Sequence, residues 1–265
     1  MSRLLFTGER LHEGSQLFSV DLVRHRAAYA YAIEQARQQG AERVLDLGCG
    51  TGYGTGDLAS ALQSVFAVDR ITPDPGARHP NAHFLQAEAG AIPLLSQAFD
   101  LIVSFQVVEH LEDPHPYLDS IARLLSSQGV ALLSTPNLPQ SDGENPFHVR
   151  EYSADEFQAL LEPHFDHVEM LGVAASPEPK AYYDARLARI RRIVRIDPLG
   201  LRKILPQSLI ESLFAAFAVI VRRGIEKNDG LPEVDLTDFP VIPATDECLD
   251  LMALCRGPRP KRSAQ

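Results

Sequence analysis

The stretch Val44-Leu45-Asp46-Leu47-Gly48-Cys49-Gly50-Thr51-Gly52-Tyr53-Gly54 sets an apolar run directly against alternating glycines. Helix-competent residues follow, from Asp57 to Leu62. A strand ending in so tight a turn leaves the backbone N–H groups of the next helix available to a negatively charged ligand group. Gly48, Gly50 and Gly52 allow backbone angles and a close ligand approach that a Cβ would block. The spacing is not the G-x-G-x-x-G of the dinucleotide fingerprint. A second acid, Asp69, ends the run Ser64-Val65-Phe66-Ala67-Val68. At the tip of the second strand of such a unit, an acid is placed to accept both hydroxyls of a ribose. Farther on, His110 follows a fourth apolar run and His148 lies in a polar loop after a fifth. Imidazoles exchange protons near neutral pH, so the pair suits general-base work on a hydroxyl acceptor.

These residues converge only if strands and helices alternate. Residues 17–38 read as a helix, with apolar side chains near helical spacing and Gly40 as its stop. Strands are expected at 44–47, 64–69, 82–87, 99–106, 129–137 and 167–172, with a further one at 247–256. Phe99 to Gln106 is apolar enough to be buried on both faces. Asp113-Pro114 starts a helix carrying Tyr117, Leu118, Ile121 and Leu124, and Ser153-Ala154-Asp155-Glu156 is a capping-box pattern opening another. Alternation with right-handed connections gives an α/β, doubly wound open sheet of seven strands. In such sheets ligands lie beyond the carboxyl ends of the strands, where Gly48, Asp69, His110 and the loop holding His148 all fall.

The run VLDLGCGTGYG followed by VFAVDR resembles the first two motifs of the class I S-adenosylmethionine-dependent methyltransferases. That resemblance is strong over residues 43–137 and weaker to 172. It implies a Rossmann-like, mostly parallel sheet whose last strand is antiparallel. It also implies S-adenosylmethionine as cofactor, held by Asp46, Gly48, Cys49, Gly50, Gly52, Asp69, Arg70 and Gln106. Glu88, in a segment similar to the family's acidic motif, would face the adenine amino group, with the backbone amide of Ala89 beside it. Thr7-Gly8-Glu9-Arg10 and His25-Arg26 are similar to the leader of one bacterial branch, in which Arg10 would pair with the cofactor carboxylate. Read without the family, Arg10 is a solvated arginine of a capping arm and Glu88 an ordinary loop acid.

The segment Gln106-Val107-Val108-Glu109-His110 is also similar to the E-x-x-E-H of ubiquinone-pathway and small-RNA O-methyltransferases, where a divalent metal is bound. Here Gln106 replaces the first acid, and losing a carboxylate weakens a site for a hard cation. The expectation is therefore no metal, with His110 or His148 as base or as a shaper of the pocket. The implied activity is methylation of a hydroxyl on a small molecule or glycan. N-methylation of an amino sugar or amine is the alternative, although the N/D-P-P-Y signature of N-methylating relatives is absent. A cofactor-binding protein without turnover is a third reading.

Composition sets outer bounds. With 265 residues, 45% hydrophobic, the chain can hold one large α/β domain. Three unpaired cysteines, no signal-peptide pattern at 1–14 and no run of the ~20 apolar residues that span a bilayer lead to a cytoplasmic expectation. The net charge of −10 argues against nucleic acid as partner. The expected organisation is an arm and helix at 1–40, a core at 41–174 with 247–257, an insertion at 175–246 and a disordered tail at 258–265. Between Lys180 and Lys227 eleven Lys/Arg stand against four Asp/Glu, a net of +7, which leaves −17 on the remainder. Such an insertion would sit as a lid over the acceptor and steer an anionic or carrier-linked acceptor toward it. Its apolar stretch 209–221 fits peripheral membrane contact or a core-facing helix with a solvated basic face.

Overall fold

The structure, a computed structural model, describes residues 18–73, 76, 78–141, 145–194 and 231–260, with the side chains of 192–194 left aside. The leader with Arg10, the apolar stretch 209–221 and Arg195 lie outside the described residues.

Helix α1 (Ser19–Gln39) ends on Gly40 in the left-handed conformation, φ 65°, whose N–H closes on the carbonyls of Ala36 and Arg37. Strand β1 (Val44–Leu47) runs into the glycine turn and α2 (Tyr53–Ala61). There follow β2 (Val65–Asp69), β3 (Ala82–Gln86), β4 (Phe99–Phe105), α3 (His115–Leu124) and β5 (Leu125–Pro136). Then come α4 (Ala154–Leu161), β6 (Phe165–Val173), α5 (Pro177–Val194), β7 (Val241–Pro243) and β8 (Asp250–Pro258). The expected capping box is present: Ser153 accepts from the N–H of Glu156, whose carboxylate accepts from that of Ser153.

One sheet runs in the order β3-β2-β1-β4-β5-β8-β6-β7. The first five are parallel, and β8 is antiparallel to both β5 and β6. This is the expected architecture with one edge strand added. That strand, β7, pairs antiparallel with β6 through only Val241 to Pro243, and it is too short to show a period in the sequence. Strands β1 and β4 are buried along nearly all their length, Asp46 and Ser104 included, because both sheet faces are covered. One layer packs α1 and α2 with Tyr182, Tyr183 and Phe239 on the sheet, and the other packs α3 and α4.

Of the stretch 175–246, the described residues supply β7 and bury Tyr182, Tyr183 and Phe239 against α1 and the sheet. Strand β8 reaches Pro258, and Arg259 donates to Asp166 at 2.6 Å and to the Glu162 carbonyl at 3.0 Å. No helix among the described residues is long and apolar enough to cross a membrane.

Candidate active site

A cavity of about 670 Å³ opens beyond the carboxyl ends of β1, β2, β4 and β5. Its floor is the glycine turn. Gly48 stands at φ 83°, with its N–H on the Val68 carbonyl, and a Cβ there would meet Val107 Cγ2 at 2.3 Å. Gly50 stands at φ 55°, and a Cβ there would meet nothing within 4 Å, so the turn faces open cavity. The Gly50 N–H donates to Asp69 Oδ2 at 2.8 Å, and that of Ile71 to Asp69 Oδ1 at 3.0 Å. The tip of β2 is thereby fixed to the turn. Gly48, Cys49, Gly50, Asp69, Arg70, Glu88, Ala89, Gln106, His110 and His148 all line this one cavity. Burial, then Asp46 and Asp69, push the Cys49 thiol up, so it remains an inert neutral group.

Two of the residues implied by the motif lie elsewhere. Gly52 is the left-handed cap of α2, φ 90°, behind the turn. Asp46 is fully buried beneath it, accepting from Thr55 Oγ1 at 2.6 Å and Tyr29 Oη at 3.3 Å. Burial raises the Asp46 carboxyl to about 7 against the opposing effect of those two hydrogen bonds. Its place in the structure is therefore to hold α1 and α2 on the sheet. Tyr29 bridges them closely, for its ring lies where a Cβ on Gly54 would be, 2.0 Å away.

At the other end of the cavity the histidines meet, with ring centroids 5.2 Å apart. His110, exposed, has Nδ1 2.9 Å from the Phe147 carbonyl. A carbonyl only accepts, so Nδ1 carries the hydrogen and Nε2 is the basic atom of the neutral ring. His148 Nδ1 is 2.7 Å from Glu151 Oε1, and its Nε2 is 2.9 Å from Asn145 Nδ2. That ring too is held by a carboxylate with Nε2 as acceptor. Glu109, buried, accepts from Thr135 Oγ1 at 3.2 Å. Ligating atoms of Glu109, His110 and His148 all fall within 4.8 Å of one another, a cluster able to hold a metal ion.

The third wall was not foreseen. Asp21 and Arg24 of α1, Tyr183 and Arg186 of α5 and Asp250 of β8 form one polar cluster in which Asp21, Tyr183 and Asp250 are buried and the two arginines partly so, and the first four line the cavity. Arg186 Nη1 donates to both oxygens of Asp21 at 2.9 and 3.0 Å, and Tyr183 Oη adds a bond at 3.1 Å. Arg24 Nη1 lies 3.2 Å from Asp250, which Gln106 Nε2 reaches at 3.3 Å. Gln106 itself adopts φ 57°, rare for a residue with a Cβ, and such strain concentrates at functional sites. Burial pushes the Asp250 carboxyl up, opposed chiefly by Arg24. The i, i+3 spacing of Asp21 and Arg24 was legible as a helix-surface pair, but nothing in the sequence joins them to Asp250 or Arg186.

A family profile described as a methyltransferase domain matches residues 21–174. The chain belongs to that family. The probable S-adenosylmethionine-dependent methyltransferase Rv3030 of Mycobacterium tuberculosis is 35% identical over 183 residues. The match covers 66% of this chain and 66% of that relative, just under two thirds. A ubiquinone biosynthesis O-methyltransferase of Ruegeria is 33% identical over 102 residues, 36% of this chain and 41% of that one. Among solved structures, the YcgJ protein of Bacillus subtilis superposes with a TM-score of 0.52 at 17% identity, covering 88% of this chain and 99% of its own. At that identity the likeness concerns the methyltransferase fold. The matched segment 21–174 contains the glycine turn, Asp69, Glu88 and both histidines, whereas Tyr183 and Arg186 of the cavity wall lie beyond it.

Proposed function

We propose that this methyltransferase-family protein transfers the methyl group of S-adenosylmethionine to a hydroxyl of a small molecule or glycan. The cavity suits the cofactor: a glycine turn open toward it at Gly50, and an acid at the β2 tip already bonded to that turn. Gly48 and Gly50 would bring backbone close to the amino-acid end, Asp69 would accept from the ribose hydroxyls, and Glu88 and Ala89 would meet the adenine. The sulfonium, when bound, supplies an electrophilic methyl group.

The chain's own part is to place the acceptor in line and to take its proton. Orientation supplies most of the acceleration in such a displacement. A neutral alcohol is a poor nucleophile, so a base at the acceptor oxygen adds to it. The observation that carries this reading is the tautomer of His110. The Phe147 carbonyl holds Nδ1–H, which leaves the basic Nε2 in the same cavity as the glycine turn. His148, gripped by Glu151 and Asn145, fixes the loop 145–151 that closes this end. The likeness to a ubiquinone biosynthesis O-methyltransferase favours oxygen over nitrogen as the acceptor atom.

A second reading rests on the cluster of Glu109, His110 and His148. His110 presents Nε2 while the Phe147 carbonyl holds its Nδ1–H, the arrangement typical of histidines that ligate metals; at His148 a cation would take Nε2 in place of the Asn145 amide. A divalent cation held there would lower the pKa of a bound acceptor hydroxyl, doing the work assigned to the base. One experiment tests both. Methyl transfer to a panel of hydroxyl and amine acceptors is measured with and without EDTA, followed by Mg²⁺, Mn²⁺ or Zn²⁺. Turnover of hydroxyl acceptors that survives chelation and is lost in His110→Ala supports the base. Loss to EDTA with recovery on adding a cation supports the metal reading. Turnover restricted to amines overturns both.

A further inference from the structure

We infer that Arg24 binds the carboxylate at the amino-acid end of the cofactor. The inference rests on the reading of S-adenosylmethionine given above and assigns a residue that no motif in the sequence marks.

Burying a carboxylate without a charged or hydrogen-bonding partner is costly, so a site for this cofactor needs a cation beside its glycine turn. Among the described residues the cavity offers three guanidiniums, Arg24, Arg70 and Arg186. Arg70 follows Asp69 at the tip of β2, exposed, on the ribose side. Arg186 is committed, with two bonds to Asp21 and its guanidinium 4.9 Å from the Tyr183 ring centre. Arg24 is anchored but not saturated. Its Nη1 is 3.2 Å from Asp250 and its Nη2 3.2 Å from His25 Nε2, with Asp21 at 3.9 Å. Among the described residues its Nε–H is buried without a hydrogen-bond partner. Leaving such a donor unmade is unfavourable, the more so on a charged group, and the position therefore favours an arriving anion.

Its place is also right. His25, beside Arg24, bonds through Nδ1 to Tyr53 Oη at 3.0 Å, and Tyr53 is the first residue of α2 after the glycine turn. Arg24 thus lines the cavity and is joined through His25 to the residue that follows the glycine turn. A guanidinium edge matches a carboxylate in strong, charge-assisted hydrogen bonds. The cluster already balances two acids, Asp21 and Asp250, against Arg24 and Arg186. The amino-acid end brings an ammonium together with its carboxylate, so that balance is kept on binding. Asp250, steadied by Gln106, acts as the positioning residue that holds Arg24 in place.

The test is calorimetric and needs no turnover. S-adenosylhomocysteine carries the amino-acid end, whereas 5′-methylthioadenosine has the same nucleoside without it. Arg24→Met should weaken S-adenosylhomocysteine at least about tenfold, a decade being about 1.4 kcal/mol, and leave 5′-methylthioadenosine unchanged. Retained binding of the shorter nucleoside also shows that the variant is folded, and Arg24→Lys, which keeps the charge, should recover part of the loss. Equal weakening of both ligands, or of neither, overturns the inference. So does a selective loss in Arg10→Met with none in Arg24→Met. Should the parent bind neither nucleoside, it is the cofactor reading that fails.

Discussion

Replacing Asp46 with asparagine isolates the most perturbed carboxyl described here. Burial lifts this group from 3.8 to about 7. At 1.36 kcal/mol per pH unit, the folded protein therefore holds its proton more tightly than the unfolded chain by about 4 kcal/mol. The sign follows from a folded value raised above the unfolded one. The contribution is fully present below about pH 4 and is lost as the pH climbs toward 7. Between pH 5 and pH 8 roughly 3 kcal/mol of it should disappear from the parent. Asp46→Asn has no proton to lose and should show none of that component. As a neutral acid at pH 5 the parent likewise offers one carbonyl oxygen and one donor to Thr55 and Tyr29, so the variant should differ little from it there. At pH 8 the variant should be the more stable protein by roughly 3 kcal/mol. Urea unfolding of both proteins at the two pH values measures this directly. A difference between parent and variant that is the same at pH 5 and pH 8 would refute the reasoning, because it would mean that Asp46 stays ionised in the folded state throughout.

Further expectations concern single contacts. Asp69→Ala should weaken S-adenosylhomocysteine by about 1.5–3 kcal/mol by calorimetry, the range for hydrogen bonds to a charged group, and unchanged affinity would remove Asp69 from the site. His110→Ala should lower kcat by about a hundredfold or more with little change in cofactor affinity, and a full rate with the true acceptor would end its role as base. Asp21→Asn leaves Arg186 without its carboxylate. It should destabilise by about 3 kcal/mol in a thermal melt, the lower end for a broken buried pair, because Arg186 remains 21% exposed. Gly48→Ala sets a Cβ 2.3 Å from Val107 at φ 83°, so it should cost about 1–3 kcal/mol and displace Val107; a melt equal to the parent's would show that the turn is looser than described.

What the sequence made legible was local. Periodicity and end signals carried the strands through Phe105, the stop at Gly40 and the capping box at Ser153, because each is decided within a few residues. The glycine turn and Asp69 were readable for the same reason, as one strand–turn–helix unit and its neighbour. Asp46 shows the limit of that reasoning. Its place in the motif suggested contact with a ligand, yet whether it faces the cavity or the core depends on Tyr29 and Thr55, which only the packing of α1 and α2 brings to it. The joining of Asp21 and Arg24 to Arg186 and Asp250 in one wall was out of reach. Its members lie up to 229 positions apart, from Asp21 to Asp250, and no propensity or spacing couples residues across such a distance. Strand β7 failed the opposite way, for it is plain in the ladder but three residues long.

The position of β8 has a consequence for how the protein comes into being. It is the last of the eight strands to leave the ribosome, yet it lies inside the sheet, between β5 and β6. Until it emerges, β5 has one bare edge, and the antiparallel pair of β6 and β7 has nothing to dock on. Unpaired strand edges of that kind are what chaperones shield and what aggregation exploits. The same strand delivers Asp250 to Arg24, so the arginine beside the glycine turn gains its anchor only when β8 slots in. Nascent chains therefore carry the glycine turn and both histidines well before they have a finished binding site. Arg24 and its carboxylate anchor thus come into their described arrangement only once β8 has joined the sheet.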